Sequence, residues 1–176
     1  MKHLAAAVGA ITLGACSISI DGENYQDTGA NLDLFTFFEG DVKGWGIVQG
    51  RDGNVLQRFQ VQIDGSVSEG TLTLDETFTY SIGEGPEKRI WTINQSAPGQ
   101  YEGRAGDILD TAQGQNFGNA LYWAYQMELP VNNSSYKVNF QDWMWAFDER
   151  TIVNRSYIKK FGIVWAEVTL FMQKQP

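Results

Sequence analysis

The chain is short of several residues that catalysis and extracellular scaffolds commonly use. Among its 176 residues there is one cysteine and one histidine. Both lie near the start, as His3 and Cys16. A lone cysteine forms no internal disulfide, so stability must come from packing. Residues 17–176 carry neither imidazole nor thiol. That excludes histidine bases, histidine-ligated zinc and cysteine nucleophiles from this region. Basic residues are also few: 13 Lys and Arg face 21 Asp and Glu, a net charge of −8. Phosphate contacts need clustered Lys and Arg, so nucleic acid is not an expected partner. Net charge gives no attraction to anionic lipid either. No run reaches the roughly twenty apolar residues that span a bilayer. What is plentiful is aromatic and glycine: 13% Phe, Trp and Tyr, six Trp and 19 Gly. That combination suits a twisted, strongly curved β-sheet.

The first sixteen residues have a pattern of their own. Lys2 and His3 precede a small apolar stretch from Leu4 to Leu13, which ends in Leu13-Gly14-Ala15-Cys16. A positive start, a short apolar core and small residues at its end describe a secretory signal. The last four residues resemble the lipobox of bacterial lipoproteins. The resemblance implies cleavage before Cys16 and acylation of its sulfur, because only a thiol accepts the diacylglyceryl group. It also removes His3 and Lys2 from the mature chain. Acyl chains on Cys16 then hold the protein at a membrane, where two or more chains suffice for stable anchoring. Ser17, not aspartate, follows Cys16. By analogy with the sorting rule of enteric lipoproteins, the expected address is the inner leaflet of the outer membrane, facing the periplasm.

Three regions are expected: a signal peptide at 1–15, an acylated cysteine with a flexible tether at 16–31, and a β-domain at 32–176. The tether is polar and lacks a sustained period. Leu32 to Phe38 form an apolar cluster, read as a strand or as a short helical turn that plugs one end of the fold. Strand follows strand from there. Val55, Phe59, Val61 and Ile63 alternate with Leu56, Arg58, Gln60 and Gln62. Leu72, Leu74, Glu76, Phe78 and Tyr80 share a face, as do Leu121, Trp123, Tyr125, Met127 and Leu129. Phe140, Asp142, Met144 and Ala146 oppose Gln141, Trp143, Trp145 and Phe147. Asp52-Gly53, Asp64-Gly65, Pro98-Gly99 and Asp148-Glu149-Arg150 read as turns. No segment has the start and stop signals of a long amphipathic helix. Nine or ten evenly spaced strands predict an all-β fold, a single antiparallel, lipocalin-like up-and-down β-barrel, whose closure removes exposed edges.

Several strings resemble one family in order along the chain. They are Phe38-Glu39-Gly40 with Gly44-Trp45-Gly46, Leu74-Asp75-Glu76 with Phe78 and Tyr80, and Arg89 with Trp91. They continue with Gly118-Asn119-Ala120, Asp142-Trp143-Met144, Asn154-Arg155 and Lys160-Phe161-Gly162. With the lipobox, these resemble the bacterial lipoproteins grouped as domain of unknown function 3833. The resemblance implies a periplasm-facing lipoprotein and brings no biochemical activity.

Charged residues inside apolar strands are the candidate site. Glu76, Asp142, Arg89 and Arg155 must be paired or solvated wherever they point inward. They either form a structural ion-pair network or orient a ligand headgroup in an apolar cavity. Asp142 and Arg155 are expected to pair across the Asp148–Arg150 turn. Trp91, Trp123 and Trp143 either pack the core or line a pocket. With Asn154 these eight residues make the ligand-binding set. No catalytic residue, cofactor or metal is assigned: the glycine-rich strings at 103–106 and 114–118 open no helix, and Asp107 and Asp110 lack calcium-loop spacing. The sequence thus points to a lipid-anchored barrel binding an apolar or amphipathic small molecule such as a lipid. The alternatives are a lipid-modifying enzyme using inward Asp, Glu, Tyr and Arg, or a structural lipoprotein of the envelope.

Overall fold

A computed structural model describes residues 19–29, 31–131 and 134–176. The signal segment and Cys16 lie outside the described residues. Ten antiparallel strands form one closed barrel in which every strand pairs with its sequence neighbours. They are β1 (Gly40–Gly50), β2 (Val55–Ser68), β3 (Thr71–Ile82), β4 (Lys88–Ala97) and β5 (Gln100–Ala105). The second half holds β6 (Ala112–Phe117), β7 (Ala120–Val131), β8 (Ser134–Asp148), β9 (Thr151–Lys160) and β10 (Ile163–Lys174). Pairing of β1 with β10, from Val42↔Lys174 to Gly50↔Ala166, closes the cylinder. The all-β barrel read from the strand pattern is therefore the fold.

One end is plugged. Leu34–Phe38 form a single helical turn, α1, whose Asp33 side chain accepts from Thr36 N at 2.8 Å. This cap satisfies one of the free amides at the helix start. Leu34, Phe37 and Phe38 are buried. Lys174 Nζ donates to the Thr36 and Glu39 carbonyls at 2.5 and 2.6 Å, which ties the last strand to the plug. A Cβ on Gly65 would stand 1.7 Å from Phe38 O. Gly65 therefore does not turn the chain, as Asp64-Gly65 suggested. It lies inside β2 and makes room for the helix. The turn comes later, at Glu69 and Gly70, both with positive φ.

One other sequence reading changes. The stretch read as a tether is docked over its described part. A 3-10 turn at Gly22–Tyr25 lies against the outside of the barrel, where Tyr25 meets Trp143 and Trp145 at ring distances of 6.2 and 6.1 Å. Ile20 and Tyr25 are the large apolar residues in this otherwise polar run, and both join an outer cluster around Ala120, Trp143 and Tyr157. Such burial offsets the entropy of ordering a short segment. Thr28 Oγ1 adds a bond to Asn119 at 2.8 Å.

Candidate functional site

The barrel interior holds a cavity of about 810 Å³. Leu34 and Phe38 of the plug form its floor. The opposite end, where β1–β2, β3–β4, β7–β8 and β9–β10 are joined, is its mouth, lined by Leu56, Glu84, Tyr136 and Trp165. Leu56 and Trp165 get there by the same device. Each is the unpaired residue of a β-bulge: β1 and β2 pass from Val48↔Gln57 to Gln49↔Val55, and β10 and β9 from Val164↔Lys159 to Ala166↔Ile158. A bulge re-aims one side chain without ending the strand.

Apolar rings make up much of the wall. Trp91 stands edge-on to Trp123 at 5.7 Å and to Tyr125 at 5.3 Å, and Tyr125 stacks on Phe140 at 4.9 Å. Room for the Trp123 ring comes from two glycines. A Cβ on Gly103 or Gly114 would lie 2.5 or 2.4 Å from it. Gly103 and Gly114, in the glycine-rich strings set aside as phosphate loops, are thus wall residues that admit a large ring.

Halfway down this wall sits a polar cluster. Glu76 on β3 is opposite Arg89 on β4, and Asp142 on β8 is opposite Ser156 on β9. Arg89 reaches Asp107, in the turn after β5, through Nε at 2.9 Å and Nη2 at 2.5 Å. Burial pushes the Asp142 carboxyl up to about 7, and the Ser156 hydroxyl and the Arg89 charge oppose this only in part. Glu76 also rises to about 7 through burial, with Arg89 lowering it and Asp107, Asp142 and Asp75 raising it. Burial alone would lower Arg89, but Tyr125, Glu76 and Asp107 outweigh it and keep the guanidinium charged. The Tyr125 hydroxyl is held well above its ordinary range by burial first and by Asp142 second. Asn154 Nδ2 donates to Trp143 O at 3.3 Å, and Ser156 Oγ donates to Asn154 Oδ1 at 3.2 Å. One acceptor is left over: Asp142 Oδ1 is buried with no hydrogen-bond partner. An orphaned buried acceptor is costly, and a donor brought by a ligand would relieve it. Among the described residues no three His, Cys, Asp or Glu side chains gather as a metal site.

Of the eight residues picked from the sequence, Glu76, Arg89, Trp91, Trp123, Asp142 and Asn154 line this cavity. Trp143 and Arg155 do not. The two are register partners on the outer face, where Trp143 carries the N-terminal segment and Arg155 pairs with Glu167 on β10. The expected Asp142–Arg155 pair is therefore absent. The cause is a bulge between Ala146 and Asp148. From Asp148↔Thr151 an unbroken ladder would set Asp142 opposite Tyr157 and Arg155 on the inner face. The extra residue, Phe147, shifts the pairing by one and turns Arg155 outward, since a one-residue slip exchanges the two faces. Tyr125, Ser156 and Asp107 belong to the cluster but were not singled out. Tyr125 and Ser156 follow from parity, lying two residues from Trp123 and Asn154. Asp107 lies in a turn, where period carries no information.

Fold and cavity together define a class: a closed, lipocalin-like antiparallel barrel whose interior is of the size that holds small molecules. Within that class, the chain belongs to the family described as "Protein of unknown function (DUF3833)", whose model matches residues 10–174. A solved structure of similar fold is that of the S-type phycobiliprotein lyase CPES from Guillardia theta. The two share 6% identity with a TM-score of 0.56, over 81% of this chain and 92% of that one. At such identity the likeness concerns the fold alone. Among curated proteins none matches the chain.

Proposed function

We propose that this protein is a lipid-anchored binding barrel of the bacterial envelope, held by acyl chains on Cys16 at the periplasmic face of the outer membrane. Its cargo is an amphipathic small molecule, a lipid or lipid-like compound. The observation that carries this reading is the 810 Å³ cavity, ringed by aromatics and interrupted by one buried polar cluster. Apolar walls hold the hydrocarbon part through burial. The cluster sorts ligands by their polar group. Asp142 Oδ1 lacks a donor, so a ligand hydroxyl or amine fits it. A polar cluster set halfway along an apolar tube favours a ligand with apolar parts on both sides of its polar group.

Native mass spectrometry of the chain purified in mild detergent tests this. A bound mass that survives detergent exchange and falls at least about fivefold in Trp123→Ala supports a cavity ligand. An empty cavity, in protein incubated with total envelope lipid, would count against the reading. A second reading rests on one observation: Glu76, Asp142 and Tyr125 face the same cavity, where burial pushes both carboxyls up to about 7, a setting suited to acid–base chemistry. Turnover of the bound lipid, abolished by Asp142→Asn with binding retained, would select it.

A further inference from the structure

Large apolar side chains are unevenly distributed over the outside of this barrel. Most of the exposed ones lie toward the mouth end, and the larger group of these shares one arc. Phe161, Ile163 and Trp165 of the β9–β10 hairpin are 87%, 49% and 51% exposed, and Leu56 at the end of β2 is 53% exposed. Tyr136 on β8 is exposed too. The β1–β2, β9–β10 and β7–β8 ends are consecutive around the cylinder. Two of these residues, Leu56 and Trp165, are placed by bulges, so the rim is built and not a fraying of strand ends. Cations sit on the same arc. Lys160 Nζ lies 3.6 Å from the Tyr136 ring and 5.3 Å from that of Phe161, and Arg51 lies over Trp165 at 5.7 Å. The other arc is mixed: it exposes Ile82, Ile90 and Leu109 beside the acidic Glu84, Glu87 and Asp110.

The N-terminal segment gives an independent direction. From Thr28, bonded to Asn119 in the plug-end turn, the chain runs back along the outer wall. Ser19 to Glu23 share a crevice with Gln141, Tyr157 and Lys159. Lys159 is two residues from the β9–β10 turn. Ser19, the first described residue, thus lies on the side of the barrel under the apolar arc. Two residues, Ser17 and Ile18, lie between Cys16 and Ser19, so the covalent reach from Ser19 to Cys16 is at most about 11 Å.

We infer that the mouth docks on the phospholipid bilayer through this arc, with Phe161, Ile163 and Trp165 in the interface, and that ligand passes between bilayer and cavity without crossing water. Aromatic and aliphatic residues backed by Lys and Arg are the composition that sits in the headgroup layer. The inference rests on the lipid-anchor reading for its proximity argument and on the rim for its contact.

The test uses full-length protein, purified from membranes and reconstituted in phosphatidylcholine vesicles. Single cysteines at Phe161→Cys (mouth) and Phe147→Cys (plug end, 74% exposed) carry an environment-sensitive fluorophore. Acylation occupies the sulfur of Cys16. Nitroxide-labelled lipids should quench the 161 probe at least about threefold more than the 147 probe. Equal quenching, or stronger quenching at 147, overturns the docking. Intact mass separates the two readings. If Cys16 carries no acyl group, the anchor reading fails, and the same probes in a Cys16→Ser background are mixed with vesicles. Selective quenching at 161 then still supports docking, and its loss overturns it.

Discussion

Asp142 behaves as an acid whose proton is held by its surroundings. Its carboxyl sits near 7 in the fold and near 3.8 when exposed. The folded chain therefore binds more protons than the unfolded one between these values. This contribution to stability is complete below about pH 4 and is lost as pH rises through about 7. Glu76 adds in the same sense. Unfolding midpoints should fall from pH 5 to pH 8. Asp142→Asn should flatten that slope and stabilise the ligand-free barrel at pH 8 by about 1–3 kcal/mol. A parallel, unflattened slope in urea titrations would show that Asp142 is not the group responsible. Arg155 is the contrast. Half exposed and paired with Glu167, it lies where ion pairs contribute about 0–1 kcal/mol. Arg155→Gln should shift the midpoint by no more than that, and its effect should add to that of Asp142→Asn.

At the level of elements, alternation carried the sequence reading and irregularities limited it. Leu72 to Tyr80 and Leu121 to Leu129 have period two throughout, so parity sets Glu76 and Trp123 on the inward face. Phe140 and Met144 set the inward parity of Asp142 in the same way. Arg155 faces outward against the sequence expectation, because one extra residue at Phe147 reverses the face and leaves no trace in composition. Leu56 and Trp165 escaped for the same reason. Gly65 resembled a turn because Asp-Gly pairs often make one. Its use here is close approach, which only the position of α1 reveals. Gly65→Ala should displace the plug, lower stability by about 2–4 kcal/mol and open the floor of the cavity. Circular dichroism melts with ligand content measured alongside would check both effects. Trp143→Ala should act on the other side of the wall. It removes the platform under Tyr25, costs about 2–4 kcal/mol and exposes residues 19–29 to protease. Bound ligand should remain, since Trp143 does not face the cavity.

The whole molecule joins a filled floor, a hollow middle and an open mouth in one cylinder. Its hydrophobic cluster runs from Leu32 on the plug side to Phe140 and Ile158 beside the cavity. Neither end of the sheet is free, because β1 lies against β10 from Val42 to Gly50. The seam makes assembly a matter of timing. β1 is the first strand synthesised and its second partner is the last. Nine strands can join as successive hairpins, each pairing with the one just made. The final step must then bring together segments separated by nearly the full length of the domain, which is slow by nature. Until then both terminal strands show bare amides and carbonyls to any neighbour. Lys174 sits at this junction, gripping the plug next to Gly40. It fastens the seam to the plug, and a chain cut short before β10 would be left with its cylinder unrolled.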